Sequence, residues 1–300
     1  MQYKVLGKST LTVSRIGFGC MSLKPGQDDI QFLTDKAIDA GINYFDTADI
    51  YDKGLNEINI GKALKEKRNR VIIATKGGNQ LKADGNGWNW NPSKEYLIKA
   101  VEQSLQRLQT DHIDLYQLHG GTIEDNINET IEAFELLQQQ GKIRYYGISS
   151  IRPNVICEYI QKSNSISVMM QYSLLDRRPE ESCLQLLQQN NIGVLARGSV
   201  AGGLLAGKPA KAYLNYTETE VSNTAKAIQA VASMQTSEAA TAIRFVLQNP
   251  AITSSIVGIH TDKQLADALQ AINSEPLTEN EMQKLRISVP VNYYEQHRYF

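Results

Sequence analysis

Short apolar runs that do not alternate with polar residues recur along the chain, at residues 16–19, 44–46, 71–75, 113–118, 145–148, 168–170, 193–196 and 255–257. Alternation marks a strand with one wet face, so runs without it read as strands covered on both faces. Longer stretches of helical period lie between them. Strands and helices in strict alternation predict a parallel sheet. Eight such units predict an α/β fold closed into a (β/α)8 TIM barrel in place of an open doubly wound sheet.

The helical stretches carry their own start and stop signals. Ile30, Leu33, Ala37 and Ile38 fall on one face and Gly41 follows as a stop, and Ile127, Ile131, Phe134 and Leu137 form a similar stripe ended by Gly141. Leu97, Val101, Leu105 and Leu108 form another, entered through Asn91-Pro92-Ser93. Thr261 to Gln264 reads as a capping box ahead of Leu265, Ala268, Leu269 and Ile272, and Thr278 to Glu281 starts an extra C-terminal helix in the same way. The opening segment differs. Tyr3-Lys4-Val5-Leu6, the turn Gly7-Lys8-Ser9-Thr10, and Leu11-Thr12-Val13 read as a β-hairpin capping the barrel floor. The 300 residues fit two domains of ~150 residues or one barrel of ~250. With no repeat, low-complexity tract or Pro/Ser linker, residues 1–300 read as a single barrel domain.

Composition excludes several functions. A net charge of -1 offers no general attraction to nucleic acid or an anionic membrane. No apolar run approaches the ~20 residues a membrane span needs. The N-terminus lacks an apolar leader core, which points to the cytoplasm. Cys20, Cys157 and Cys183 lie far apart without metal-ligand spacing, so they read as buried thiols and no metal site is expected.

In a barrel of this kind the reactive groups stand at the C-terminal ends of strands. Those ends carry Asp46, Tyr51 just beyond it, Lys76 and His119. Asp46 and Lys76 alone also fit a structural salt bridge, since each ends an apolar run where a charge needs a partner. Together the four suggest more. An ammonium ~4 Å from a tyrosine hydroxyl favours the phenolate by roughly 4 kcal/mol at an effective dielectric near 20. A carboxylate holding the ammonium offsets part of that. A tyrosine so placed can give a proton to a carbonyl oxygen and take it back, while a histidine orients the carbonyl and stabilises its developing charge.

The segment 41–51, Gly-Ile-Asn-Tyr-Phe-Asp-Thr-Ala-Asp-Ile-Tyr, followed by Asn56-Glu57-Ile58-Asn59-Ile60-Gly61, closely resembles the signature of the aldo-keto reductases. Ala74-Thr75-Lys76 and Leu115-Tyr116-Gln117-Leu118-His119 resemble the family's other two catalytic motifs, and the likeness runs from the hairpin to the turn at Thr261. The resemblance implies Asp46, Tyr51, Lys76 and His119 as a catalytic tetrad with Tyr51 as acid and base. It also implies a nicotinamide cofactor extended across the barrel mouth. Ser149 and Gln171 would meet its carboxamide, although Ser150 stands where the family usually has asparagine. Arg197 occupies a place that often holds an aromatic residue stacked on nicotinamide. The irregular, glycine-rich stretch 201–223 suits a ligand loop or a surface insertion. With Gly198 and Ser199 before it, and with Gly203, Leu204 and Lys208, it would drape over the pyrophosphate.

Gly258, His260, Thr261, Gln264 and Asp267 match the segment for the adenosine 2′-phosphate and adenine, at a helix N-terminus that favours an anion. The common arginine is replaced by His260, and Asp267-Ala268 replaces a Glu-Asn pair, which weakens the phosphate grip. The expectation is NADPH, with NADH possible. The substrate is expected to be a small carbonyl compound lined by Cys20 and Met21 and by Trp88 and Trp90 of the Gly/Asn loop 85–91. The tail 293–300 packs near the mouth or serves as a docking segment. Two other readings of the same residues are a cofactor-sensing regulatory subunit with slow turnover and an aldolase with Lys76 as Schiff-base nucleophile.

Overall fold

The apolar runs become strands because their side chains find cover on both sides, inward on the barrel axis and outward under helices. The computed structural model describes residues 1–232 and 236–299. A hairpin, β1 (Tyr3–Val5) and β2 (Thr12–Ser14), opens the chain and leads into β3 (Ile16–Gly19), α1 (Ile30–Asp39), β4 (Tyr44–Asp46), α2 (Leu55–Leu64) and β5 (Ile72–Gly77). A second hairpin follows, β6 (Asn79–Leu81) and β7 (Trp88–Trp90), before α3 (Lys94–Leu108), β8 (Ile113–Leu118), α4 (Ile127–Gln139) and β9 (Ile143–Ser149). The chain continues through α5 (Pro153–Lys162), β10 (Ser167–Gln171), α6 (Cys183–Gln189), β11 (Gly193–Arg197), α7 (Glu218–Val231), α8 (Glu238–Leu247), β12 (Ile252–Gly258), α9 (Asp262–Asn273) and α10 (Glu279–Ile287).

Strands β3, β4, β5, β8, β9, β10, β11 and β12 close into a parallel barrel, as the alternation of elements predicts. Several run one or two residues further than their apolar runs, taking in Lys76 and Gly77, Ser149, Gln171 and Arg197. Ladder bonds are made by backbone, so polar side chains at a strand's mouth end do not interrupt pairing.

Two cores result. The larger lies between strands and helices. The smaller fills the barrel floor, where Leu6, Leu11 and Val13 of the hairpin segment meet Tyr44, Leu115, Met169 and Leu195 from strands. The turn at Gly7 lies so close to the starts of β10 and β11 that a Cβ there would come within 2.2 Å of the Ile166 carbonyl oxygen. The hairpin therefore closes the floor, as expected.

Three local expectations change. The stretch 201–223 is irregular only to Thr217, whose side chain and Glu220 form a full capping box that starts α7. At α9, Thr261 caps the Gln264 amide, but the Gln264 side chain accepts from the His260 amide, so the box is half closed. The Trp88 segment is a paired strand, with Trp90 opposite Asn79. The extra terminal helix α10 begins with a complete Thr278/Glu281 box. The tail is tied to the outer side of α5, with the Asn154 amide donating to the His297 carbonyl at 2.9 Å and Gln161 to the Tyr299 hydroxyl at 2.9 Å; Phe300 lies outside the described residues. Among the described residues no helix is long and apolar enough to cross a membrane, and no group of three or more His, Cys, Asp or Glu could hold a metal ion.

Candidate active site

The mouth of the barrel gathers the ends of neighbouring strands. Asp46 ends β4, Lys76 stands one residue from the end of β5, and His119 follows β8 directly. Tyr51 starts a short turn after β4. All four meet. The Lys76 ammonium donates to Asp46 Oδ2 at 2.6 Å, to the Thr47 carbonyl at 2.7 Å and to the Tyr51 hydroxyl at 3.4 Å. Three N–H bonds thus have three acceptors, which is what a fully buried ammonium requires. Burial opposes its charge, yet Asp46 and the Tyr51 oxygen outweigh that and hold the Lys76 pKa above its ordinary value. Asp46 is itself buried and accepts a second bond from Gln117 Nε2 at 3.3 Å.

His119 meets the Tyr51 ring edge-on, with centroids 5.8 Å apart and planes at 83°. Its backbone is fixed on both sides, the amide donating to Gly77 and the carbonyl accepting from Asn79 Nδ2. Burial, then the charges of Lys76 and Arg197, push its pKa down to about 3. The imidazole is therefore neutral across the physiological range, and Nδ1 is buried without a partner.

A cavity of about 450 Å³ opens over these groups, lined by Met21, Ile50, Asp52, Asn79 and Trp88 around Tyr51 and His119. Two residues expected beside the substrate are not on this lining. Cys20 is fully buried. Trp90 lays its ring against Gly78 and Gly120 and donates Nε1 to Asp125 at 2.8 Å. Met21 and Trp88 remain at the mouth, 66% and 51% exposed.

The residues expected to hold a cofactor form an arc around the other side. Ser149, Gln171 and Arg197 are the last residues of β9, β10 and β11. Arg197 Nη1 donates to Gln171 Oε1 at 2.6 Å, and Gln171 Nε2 donates to the Tyr213 hydroxyl at 2.8 Å. Beyond Arg197 the chain turns through Gly198, Gly202 and Gly203, all at positive φ, and nothing stands within 4 Å of where a Cβ on Gly202 would lie. The amides of Ala201, Gly203, Leu204, Leu205, Ala206 and Lys208 donate to carbonyls within this turn, so only its remaining amides, such as those of Ser199, Val200 and Gly202, could meet a phosphate. Ser199 and Leu204 keep their side chains inside the fold, Ser199 Oγ bonded to Ser255 and Leu204 buried. Lys208 folds back onto the turn through the Gly202 carbonyl. Further round, Gly258 and His260 lead to the N-terminus of α9 at Thr261. There Lys263 pairs with Asp267 at 2.8 Å. The unpaired amides of a glycine turn and of a helix N-terminus, with amide and hydroxyl side chains at the strand ends, fit a dinucleotide.

The structure adds partners that the sequence does not single out. Gln117 and the Thr47 carbonyl complete the Asp46–Lys76 pair, Asn79 fixes His119, and Tyr213 holds Gln171. Asn56, quoted only as part of a motif, accepts from Thr47 Oγ1 at 2.7 Å and donates to the Cys20 carbonyl at 2.9 Å. Each acts across a gap in sequence, so no local pattern marks it.

Comparison with known proteins gives the family. The model of the aldo/keto reductase family matches residues 15–289. The uncharacterized oxidoreductase YqkF of Bacillus subtilis (strain 168) is 50% identical over 307 residues, covering 99% of this chain and 100% of that protein. The holo form of aldo-keto reductase AKR11C1 from Bacillus halodurans superposes with a TM-score of 0.93 at 47% identity, over the whole of both chains. The NADH-specific methylglyoxal reductase of Escherichia coli (strain K12) is 33% identical over 229 residues, covering 70% of each. The chain therefore belongs to the aldo-keto reductase family, and is an NAD(P)H-dependent oxidoreductase acting on aldehydes or ketones.

Proposed function

We propose that the chain reduces a small aldehyde or ketone to the alcohol, with Tyr51 as proton donor and NADPH as the preferred cofactor. The observation that carries this reading is the Lys76 ammonium, charged, buried and 3.4 Å from the Tyr51 hydroxyl, beneath an open cavity. When bound, the nicotinamide supplies the hydride. Tyr51 gives its hydroxyl proton to the carbonyl oxygen as negative charge gathers there. Lys76 stabilises the phenolate left behind, and Asp46 with the Thr47 carbonyl keeps the ammonium in place. His119, neutral and edge-on to Tyr51, directs the carbonyl oxygen. In the oxidative direction the same phenolate takes the proton from the alcohol.

Ser149, Gln171 and Arg197 would hold the carboxamide and ring, the amides of 198–208 not bonded within the turn the pyrophosphate, and the α9 N-terminus with Lys263 the 2′-phosphate. Lys263 is 81% exposed and its pair with Asp267 lies on the surface. An exposed i,i+4 pair is worth only about 0.3–0.5 kcal/mol, so the ammonium is readily transferred to a phosphate. No arginine fork reinforces it, which leaves NADH usable. The methylglyoxal reductase relative, named for NADH, marks how far cofactor choice varies among similar chains.

The test is NADPH oxidation by the purified protein with 4-nitrobenzaldehyde. Turnover is expected, and Tyr51→Phe is expected to lower kcat by about 10²–10⁴-fold while NADPH affinity, read by fluorescence titration, stays unchanged. A fully active Tyr51→Phe variant would refute the assignment.

A further inference from the structure

The cavity over Tyr51 has one side of a definite character. Met21 and Trp88 leave large apolar surfaces uncovered there, and a flat hydrophobic body would cover both. Asp52, next to Tyr51 in the chain, is the one carboxylate on the lining. Among the described residues no ion pair or side-chain hydrogen bond takes up its charge. The neighbouring Lys53 sends its ammonium towards Gly85 on the β6–β7 loop. Of the two cations near His119, Lys76 is bonded to Asp46 and Arg197 to Gln171.

The backbone holds Asp52 in an unusual way. Asp52 lies at φ 49, Lys53 at φ 57 and Gly54 at φ 91, three left-handed residues in succession. Such positions suit glycine or asparagine. An exposed carboxylate held on a left-handed backbone, on a lining that also carries the apolar groups of Met21, Ile50 and Trp88, is a group available to a ligand.

We propose that Asp52 sets substrate specificity. It accepts carbonyl compounds whose far end carries a hydroxyl or ammonium group, with the apolar body laid against Trp88 and Met21. It disfavours those whose far end carries a carboxylate or phosphate. This rests on the reductase reading above.

The test compares kcat/KM for benzaldehydes bearing a para hydroxymethyl, trimethylammoniomethyl or carboxymethyl group. The wild-type protein is expected to favour the cation and the alcohol over the carboxylate, chiefly through KM. The cation-to-carboxylate ratio is expected to fall about tenfold in Asp52→Asn and in Asp52→Gly, as two opposite charges a few ångströms from a wet carboxylate imply, and to shrink as salt is added. Both replacements suit a left-handed backbone, so folding is not at stake. An unchanged ratio in both variants, or a wild-type preference for the carboxylate, overturns the role of Asp52 and leaves the reductase reading intact. No reduction of any of the three, or of unsubstituted benzaldehyde, overturns the reductase reading and this inference with it.

Discussion

At the scale of single residues, the site depends on how each buried charge is satisfied. Lys76 uses all three N–H bonds, and removing any acceptor leaves an ammonium short of partners in a place water does not reach. Lys263 is the opposite case, exposed and weakly paired. Lys263→Ala is expected to weaken NADPH binding several-fold and leave NADH binding unchanged, as parallel fluorescence titrations would read; equal losses for both would mean the lysine does not meet the phosphate. Asp46, Tyr51, Lys76 and His119 were legible because each stands at the end of an apolar run or within a few residues of one, and a charge in such a place asks for a reason. Gln117 and Tyr213 were not, because an amide inside a strand and a tyrosine in a loop have ordinary local explanations. The direction of Trp90 was not legible, for an indole in a Gly/Asn loop gives no sign of which way it will turn.

At the scale of elements, close contacts decide how β5 delivers Lys76. A Cβ on Gly77 would come within 2.0 Å of the Tyr116 hydroxyl, an atom that is buried without a hydrogen-bond partner. Gly77→Ala is therefore expected to cost about 1–3 kcal/mol by overpacking. Tyr116→Phe alone is expected to be near neutral, since it deletes an unsatisfied group, and the double variant recovers most of the loss. Urea unfolding of the three variants tests this, and simple additivity would locate the strain elsewhere. Behind the same strand, Glu57 of α2 is wholly buried, accepting from Thr75 Oγ1 on β5 at 2.6 Å and from Arg107 Nε on α3 at 2.6 Å. That carboxylate braces one strand and two helices.

At the scale of the whole molecule, burial of charge couples the mouth to stability. Asp49, beside the tetrad, has its pKa raised to about 7 by burial and then by Glu57, against the pull of Arg107 and a hydrogen bond from Tyr96. The ordinary value is 3.8, so between these limits the folded chain holds a proton that the unfolded chain has released. By linkage, stability falls as pH rises through that window. His119, depressed to about 3 from 6.5, acts in the opposite sense, with stability lost as pH falls from about 6.5 towards 3. Asp49→Asn isolates the first effect. Its urea midpoint relative to wild type is expected to rise between pH 5 and pH 8, and parallel midpoints would show that Asp49 does not titrate there.

The strand count, the order of elements, the floor hairpin and the four polar residues gathered at the strand ends were all legible in the chain's linear pattern. Periodicity, caps and unalternating runs are local properties, and barrel closure follows from their number. Tertiary structure alone decided which amide, carbonyl or ring meets each of those groups, that Trp90 turns from the cavity while Trp88 lines it, and that Asp52 stands there unpaired. Those outcomes depend on distances between residues far apart in sequence, which are set only when eight strands share one axis and every buried polar atom competes for the same few partners.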